Sequence, residues 1–350
     1  MLLKTAFNQA LQLVRLHFSQ ADLMPFGLSN SCVLKYQQEI RLILQNILEI
    51  NNINFILLQN FLQLQPKQII TLHQYIKRRL KGEPLAYILK YQYFWEDKFY
   101  VNSKVLIPRN DTEIMIQAVL DNYRDKAFPG KILDIGIGSG CILLSLLKEY
   151  QHTQGVGVDI SLGALAVAAR NALNLDISYS IFYHKNFKPH VKISKKGNYL
   201  LDEPEKIKEE QKYLEKDYPR CLLVHDSLFS GFTNYSWLTL NKFDLIISNP
   251  PYIDLNDQAL EAEVKRYEPA LALFADNRGL YFYKEILSKA YDFLKPNGLI
   301  ILEIGYKQYE EVIELSKKNN FKLKKVYKDL RGIKRVVCFE PTNKQNMLDF

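Results

Sequence analysis

Two hydrophobic rhythms divide the chain. Up to about residue 80 the apolar positions recur at helical spacing. Leu2, Phe7, Leu11, Val14 and Phe18 form one stripe within Met1 to Gln20. Leu34 to Leu48 and Lys67 to Leu80 carry two more, each fitting a period of about 3.6 better than alternation. Gly82-Glu83-Pro84 interrupts this pattern. Tyr91 to Val101 is aromatic-rich and partly alternating, which predicts a β-hairpin. Val105-Leu106-Ile107-Pro108-Arg109 ends it, and Asp111 or Thr112 is placed to cap a helix from Glu113 to about Tyr123. From Lys131 the rhythm becomes short apolar runs alternating with helical segments. The predicted strands are Ile132–Ile135, Gly155–Ile160, Ile177–Tyr183, Cys221–Val224, Phe243–Ile247 and Leu299–Leu302. The predicted helices are Ser139–Tyr150, Ser161–Leu173, Gly279–Leu294 and Tyr309–Lys318. Near-continuous apolar strands belong to parallel sheets covered on both faces, and βαβ alternation predicts a doubly wound α/β fold. Lys322–Tyr327 and Lys334–Phe339 are close enough for a hairpin, which makes one sheet edge antiparallel. The expected organisation is a helical domain over 1–81, a β-hairpin linker over 82–108 and a sheet domain over 109–350.

One segment breaks the rhythm. Residues 185–220 are rich in lysine and glutamate and poor in apolar side chains, which reads as a surface insertion. The composition of the whole chain is that of a globular protein, with 47% hydrophobic and 24% charged residues among 350. The net charge of +8 is compatible with acidic surroundings, but no lysine or arginine block forms a nucleic-acid stripe. Cys32, Cys141, Cys221 and Cys338 are scattered, which argues against a disulfide framework or a zinc site. The six histidines show no metal-binding spacing, so no metal is expected. No apolar run reaches the 18 or so residues a membrane span needs.

Two stretches carry chemistry. Asp134-Ile135-Gly136-Ile137-Gly138-Ser139-Gly140 lies between a strand and a helix. Glycines there permit positive φ and close approach of a ligand to the backbone. The spacing is G-x-G-x-G, not the dinucleotide G-x-G-x-x-G. The Asp134 carboxylate would repel a pyrophosphate but could accept bonds from the ammonium of an amino-acid cofactor. This favours S-adenosylmethionine over NAD, with Gly136, Ile137, Gly138, Ser139 and Gly140 as its cradle. Asp159 ends the next strand, where a carboxylate can accept both ribose hydroxyls; Asp226-Ser227 follows another strand and suits an adenine edge. The second stretch is Asn249-Pro250-Pro251-Tyr252, directly after the strand Phe243–Ile247. Two prolines fix φ and force an extended, rigid exit at the edge where α/β sheets bind ligands. Methylating a delocalised nitrogen requires acceptors for its hydrogens. Asn249 Oδ1 and the Pro250 carbonyl supply two, Pro251 stiffens the corner, and Tyr252 is expected to pack against the flat acceptor group. Asn249 also lies next to the expected cofactor.

These residues resemble the HemK/PrmC protein-(glutamine-N5) methyltransferases. Further stretches carry the resemblance: Gly82 to Ile88, Val105 to Arg109 with Thr112-Glu113, Tyr267 to Leu271, Leu302 to Gly305, and Asp329 to Gly332 with Arg335-Val336. It departs at Asn110 and Asp111, where the family has proline and glutamate, and over residues 185–220. The resemblance implies a class I S-adenosylmethionine-dependent, Rossmann-like methyltransferase that modifies the glutamine of the Gly-Gly-Gln motif in peptide-chain release factors. It implies that Asn249, Pro250 and Tyr252 are catalytic, that Asn249 to Tyr252 hold the substrate, and that the N-terminal helices dock the release factor.

Two other readings compete. An N6-adenine DNA or RNA methyltransferase shares Asn-Pro-Pro-Tyr but should carry a basic recognition domain, whereas the N-terminal region is rich in leucine and glutamine. A non-catalytic adapter binding the cofactor structurally would not need Asn249 and Tyr252. The expected partner is therefore a protein, with no direct nucleic-acid or membrane contact, and the chain a monomer. The helical pattern starting at Met1 favours cytoplasm over a mitochondrial matrix.

Overall fold

The computed structural model describes residues 1–20, 30–124, 128, 130–183, 200–201, 219–230, 242–257 and 260–342. These divide into two compact units, one of Met1–Lys90 with Glu261–Tyr267, the other of Tyr91–Leu260 with Glu268–Phe350. The first unit is helical. It comprises α1 (Leu3–Gln20), α2 (Asn30–Leu48), α3 (Asn52–Leu58), α4 (Pro66–Leu80) and α5 (Leu85–Leu89). The seam of α1 runs through Leu3, Ala6, Ala10 and Val14. Leu2 lies outside it at 39% exposure. Alanines on the seam let α2 and α4 approach closely, and Ile40, Ile43, Leu44, Leu72 and Ile76 fill the contact. Arg79 is buried there between Glu39, at 2.9 Å, and Glu263, at 3.2 Å. A buried guanidinium is tolerable because carboxylates pair with it on two sides.

The second unit starts with a hairpin of β1 (Tyr91–Phe94) and β2 (Asp97–Tyr100), as the aromatic alternation predicts. A 3₁₀ turn (Asn110–Thr112) leads into α6 (Glu113–Asn122). The βαβ series follows: β3 (Lys131–Ile135), α7 (Cys141–Glu149), β4 (Gln154–Asp159), α8 (Leu162–Asn174), β5 (Tyr179–Tyr183), β6 (Leu200–Leu201), β7 (Cys221–His225) and β8 (Phe243–Ser248). Beyond it lie β9 (Ile253–Asp254), α9 (Ala262–Tyr267), which belongs to the first unit, β10 (Phe274–Ala275), α10 (Tyr281–Phe293), β11 (Leu294–Glu303), α11 (Tyr309–Lys318), β12 (Phe321–Lys328) and β13 (Lys334–Pro341). Nine strands form one sheet in the order β12-β13-β11-β8-β3-β4-β7-β5-β6. All neighbours are parallel except β12–β13 and β13–β11, so one edge is antiparallel, as expected. Strands β3 to β8 alternate between two cores. Leu245 and Ile247 face α6, α7 and α8, while Ile246 faces α10 and α11.

Most of the predicted insertion, 185–220, lies outside the described residues. One local expectation holds and two change. Ser161 caps α8, its hydroxyl accepting from the Ala164 N–H at 3.2 Å. Thr112, by contrast, makes no cap and sits in helical geometry. Helix α10 begins at Tyr281 rather than Gly279, because Asn277, Arg278 and Gly279 all have φ between 57° and 82°. Among the described residues no helix is long and apolar enough to cross a membrane, and no group of three or more His, Cys, Asp or Glu is placed to hold a metal ion.

Candidate active site

The carboxyl ends of β3, β4, β7 and β8 open into a cleft of about 370 Å³ within the second unit. That size and position match a ligand site of an open α/β sheet. The glycine loop forms its floor. Gly136, Gly138 and Gly140 have φ of +76°, +55° and +81°, so each needs glycine. A Cβ at Gly136 or Gly138 would meet no atom closer than 3.9 Å, leaving bare backbone for a ligand to approach. Gly140 is off the cleft wall, turned into the start of α7 against Leu144 and Ala168. The loop is tied down from three sides. The Gly136 and Ile137 N–H groups donate to Val158 O. Gly138 N–H donates to Asp159 Oδ2 at 2.9 Å. The buried Asn171 amide donates to Ser139 O at 2.8 Å and Tyr100 O at 3.0 Å and accepts from Tyr100 N–H at 2.7 Å.

The predicted cofactor carboxylates have separate fates. Asp159 lines the cleft, with Oδ2 on Gly138 N–H and Oδ1 on Ser161 N–H. Burial raises its pKa, and those N–H groups oppose the rise. Asp226 and Ser227 also line the cleft; Asp226 Oδ1 accepts from Ser227 N–H and the Ser230 hydroxyl, while Oδ2 is buried without a partner. Asp134 does not line the cleft. It lies behind the loop at 1% exposure, and burial pushes its carboxyl to about 7. The Leu143 N–H opposes that shift without making a well-formed bond to either oxygen. The expected contact with a cofactor ammonium is therefore absent at Asp134. The bare loop, the Asp159 carboxylate and the orphaned Asp226 oxygen nevertheless fit S-adenosylmethionine, which would need close backbone approach and acceptors for hydroxyl and amino groups.

Asn249, Pro250 and Pro251 line the opposite part of the cleft. Ser248 pins their base, its buried hydroxyl donating to Ile135 O at 2.6 Å. Asn249 Nδ2 donates to Thr112 Oγ1 at 3.2 Å, so its acceptor end is not used by this bond. Tyr252 is placed differently from expectation. Its ring leaves the cleft wall and packs on the α10–α11 core, and its hydroxyl donates to Glu303 Oε1 at 3.3 Å. Burial, then the Glu303 charge, raise the phenol's pKa. Glu303 is 3% exposed, and burial pushes it to about 7 against the Thr112 and Tyr252 hydroxyls and Arg335. The Tyr252 carbonyl accepts from Gln308 Nε2 at 3.0 Å. The facing wall contains Arg109, paired with Glu268, whose other oxygen accepts from Ile107 N–H at 3.1 Å. Leu271, Tyr281 and Phe282 complete it.

Sequence reasoning gave Thr112 only a helix cap and, with Glu268 and Glu303, a place in the resemblance, and gave Gln308 no role. Only Glu303 carried a local signal, a lone acid ending an apolar strand as Asp159 does.

The strand order, the glycine loop and the strand-end cleft define a Rossmann-like, class I S-adenosylmethionine-dependent methyltransferase fold. Residues 28–89 match the PrmC N-terminal domain, and residues 110–213 the methyltransferase small domain. A release factor glutamine methyltransferase of Francisella tularensis is 34% identical over 303 residues, covering 87% of this chain and 90% of that protein. One from Geobacter sulfurreducens is 35% identical, covering 78% and 79%. A bifunctional methyltransferase of Rickettsia felis is 34% identical over 91% of this chain but 55% of its own length. The chain thus spans about half the length of the bifunctional relatives it matches. It belongs to the release factor glutamine methyltransferase family.

Proposed function

We propose that this protein transfers a methyl group from S-adenosylmethionine to the side-chain amide nitrogen of the glutamine in the Gly-Gly-Gln motif of a peptide-chain release factor. One observation carries the reading: Asn249 stands on the cleft wall with its Nδ2 committed to Thr112, which leaves Oδ1 to accept a substrate N–H. The names of the Francisella and Geobacter relatives support the choice of substrate. When bound, the cofactor supplies an electrophilic methyl on a sulfonium. Transfer would exchange the donor's C–S bond for a C–N bond to the glutamine, leaving a neutral thioether and releasing one amide proton to solvent. Asn249 Oδ1 and the Pro250 carbonyl accept the two amide hydrogens and turn the nitrogen lone pair toward the methyl. Pro251 keeps that corner extended, and Tyr252 holds it through Glu303 and Gln308. Gly136 to Ser139, Asp159, Asp226 and Ser227 hold the cofactor, with Asn249 beside it and Gly140 shaping the turn into α7 behind the cleft. Catalysis is positioning and electrostatics rather than strong base chemistry.

The N-terminal helices dock the protein substrate, a role the match to the PrmC N-terminal domain supports. The chain works as a monomer, without direct nucleic-acid contact, in the cytoplasm; the bacterial relatives support that location. The test gives purified enzyme and labelled S-adenosylmethionine a release factor, its Gly-Gly-Ala variant, and adenine-containing DNA. Label confined to the Gly-Gly-Gln protein is expected. Label on DNA, or equal label on both proteins, overturns the reading.

A further inference from the structure

We infer that the turn between β12 and β13 is a docking element for the protein substrate, with Leu330 as its apolar contact. The inference deepens the proposed function and rests on it. Strands β11 and β12 are both antiparallel to β13, so β12 runs in the direction of β11 and β8. Its turn therefore leaves the sheet at the edge where Asn249 leaves β8. Ion pairs tie the turn to the cleft wall: Asp111 Oδ2 lies 3.3 Å from Arg335 Nη2 and 3.7 Å from Arg331 Nη2. Asp111 precedes Thr112, which lines the cleft and accepts from Asn249 Nδ2.

The turn is firmly built. The buried Asp329 carboxylate accepts at Oδ1 from the Arg331 and Ile333 N–H groups, both at 2.9 Å, and at Oδ2 from Arg335 Nε at 3.0 Å. Asp329 N–H donates to Ile333 O at 2.8 Å, and Gly332, at φ +81°, donates to Asp329 O at 2.9 Å. This order presents a leucine that the fold does not bury, since Leu330 is exposed at 108%. A single exposed leucine is ordinary, but this one has company. Most of the large apolar side chains exposed in the described residues of the second unit stand at this edge. Ile160, Leu271 and Tyr281 line the cleft, while Leu255, Tyr306 and Leu330 lie on segments that leave β8, β11 and β12 there. What covers this rim follows from the shortness of a glutamine side chain. With its amide at Asn249, the substrate main chain must cross the mouth, and three extended residues on either side reach about 10 Å further over the rim. The occupant is therefore the release-factor segment that flanks Gly-Gly-Gln, on a surface continuous with the cleft. A turn ordered in advance makes that contact with little further loss of freedom.

Leu330→Ala removes the contact, Leu330→Asp puts a charge in its place, and Leu330→Met keeps the apolar bulk. A side chain this exposed does not hold the fold, so the thermal midpoints of all three should match wild type. With a Gly-Gly-Gln release factor, Leu330→Ala should raise KM about tenfold, the scale of one leucine withdrawn from an interface, and Leu330→Asp should raise it further. Both kcat at saturating release factor and S-adenosylmethionine affinity by calorimetry should stay within about twofold, the signature of lost substrate binding alone. Leu330→Met should keep KM within about threefold of wild type, as volume-conserving apolar swaps do. A KM for Leu330→Asp within about twofold of wild type overturns this inference alone. So does a loss in kcat with KM unchanged, which would place the effect of Leu330 on the chemistry. Wild-type enzyme that leaves the glutamine unlabelled overturns both this inference and the function beneath it.

Discussion

Replacing Gln308 with alanine tests whether the Asn-Pro-Pro-Tyr corner is held from its far end. The Gln308 carboxamide makes three bonds: Oε1 accepts from Gly305 N–H at 3.1 Å, and Nε2 donates to Tyr252 O at 3.0 Å and Arg278 O at 3.2 Å. Two glycines make room for it. A Cβ at Gly305 would sit 2.5 Å from Oε1, and one at Gly279 would sit 2.5 Å from Nε2 and 2.1 Å from Tyr252 O. Beside it, Asn277 and Arg278 lie in the left-handed region at φ 61° and 57°. Left-handed non-glycine residues cost about 1–2 kcal/mol each, so the turn stores roughly 2–4 kcal/mol. Three neutral hydrogen bonds return roughly 0.5–1.5 kcal/mol each. The two totals are of one size: Gln308 supplies about what the strained turn needs. Gln308→Ala should therefore lower stability by about 3 kcal/mol in urea unfolding. It should also depress methyl transfer, because the Tyr252 carbonyl loses its anchor. Asn277→Gly in the same background should restore about 1 kcal/mol by relieving the turn. A loss below about 0.5 kcal/mol, the range of indifferent surface changes, with turnover intact, would refute this account.

Two further outcomes follow from buried groups. Asp134 holds its proton to about 7 in the native state, against an ordinary value near 3.8. Between roughly pH 4 and 7 the native protein binds a proton that the unfolded chain releases, so stability falls as pH rises through that window. Asp134→Asn removes this dependence. Relative to wild type it should gain stability between pH 4 and pH 8 by at most about 4 kcal/mol; parallel urea midpoints for the two proteins across that range would contradict it. Asn171→Ala removes the three bonds joining the glycine loop at Ser139 to Tyr100. It should weaken S-adenosylmethionine binding about tenfold or more by calorimetry, about 1.4 kcal/mol; unchanged affinity would show that the loop keeps its form without Asn171.

What was legible in the sequence was what neighbours in the chain decide. Phe243–Ile247 reads as a covered parallel strand because it is apolar at every position but Asp244, and Gly136, Gly138 and Gly140 read as a loop because three alternating glycines follow a strand, as their positive φ angles bear out. The final hairpin followed from two strand-like runs lying close together in the chain. Thr112 could not be read this way. It reaches Asn249 across 137 positions, and its local context pointed to a helix cap. Tyr252 was misread for a related reason. The tetrapeptide presents an aromatic ring, but Gly305 provides the slot that draws it inward, its would-be Cβ lying 3.2 Å from Tyr252 Cδ2.

Three acids end or nearly end parallel strands here, and their surroundings assign them different work. Asp159 faces the cleft and is fixed by two backbone N–H groups. Asp134 lies behind the loop with no well-formed bond. Glu303 accepts the Tyr252 hydroxyl at Oε1, while its Oε2 is buried without a partner. Asp134 and Glu303 are both off the cleft wall, and Asp159, which is on it, is taken up by the Gly138 and Ser161 N–H groups. A site that worked by deprotonating an amide would place its base within hydrogen-bond reach of the nitrogen. On the proposed reading the groups offered to that nitrogen are neutral, the Asn249 amide and the Pro250 carbonyl, and Glu303 lies off the cleft wall. The proposed methyl transfer needs no such base, since the amide proton can leave after the C–N bond forms, and Glu303 would then act by holding the Tyr252 hydroxyl rather than by taking the proton.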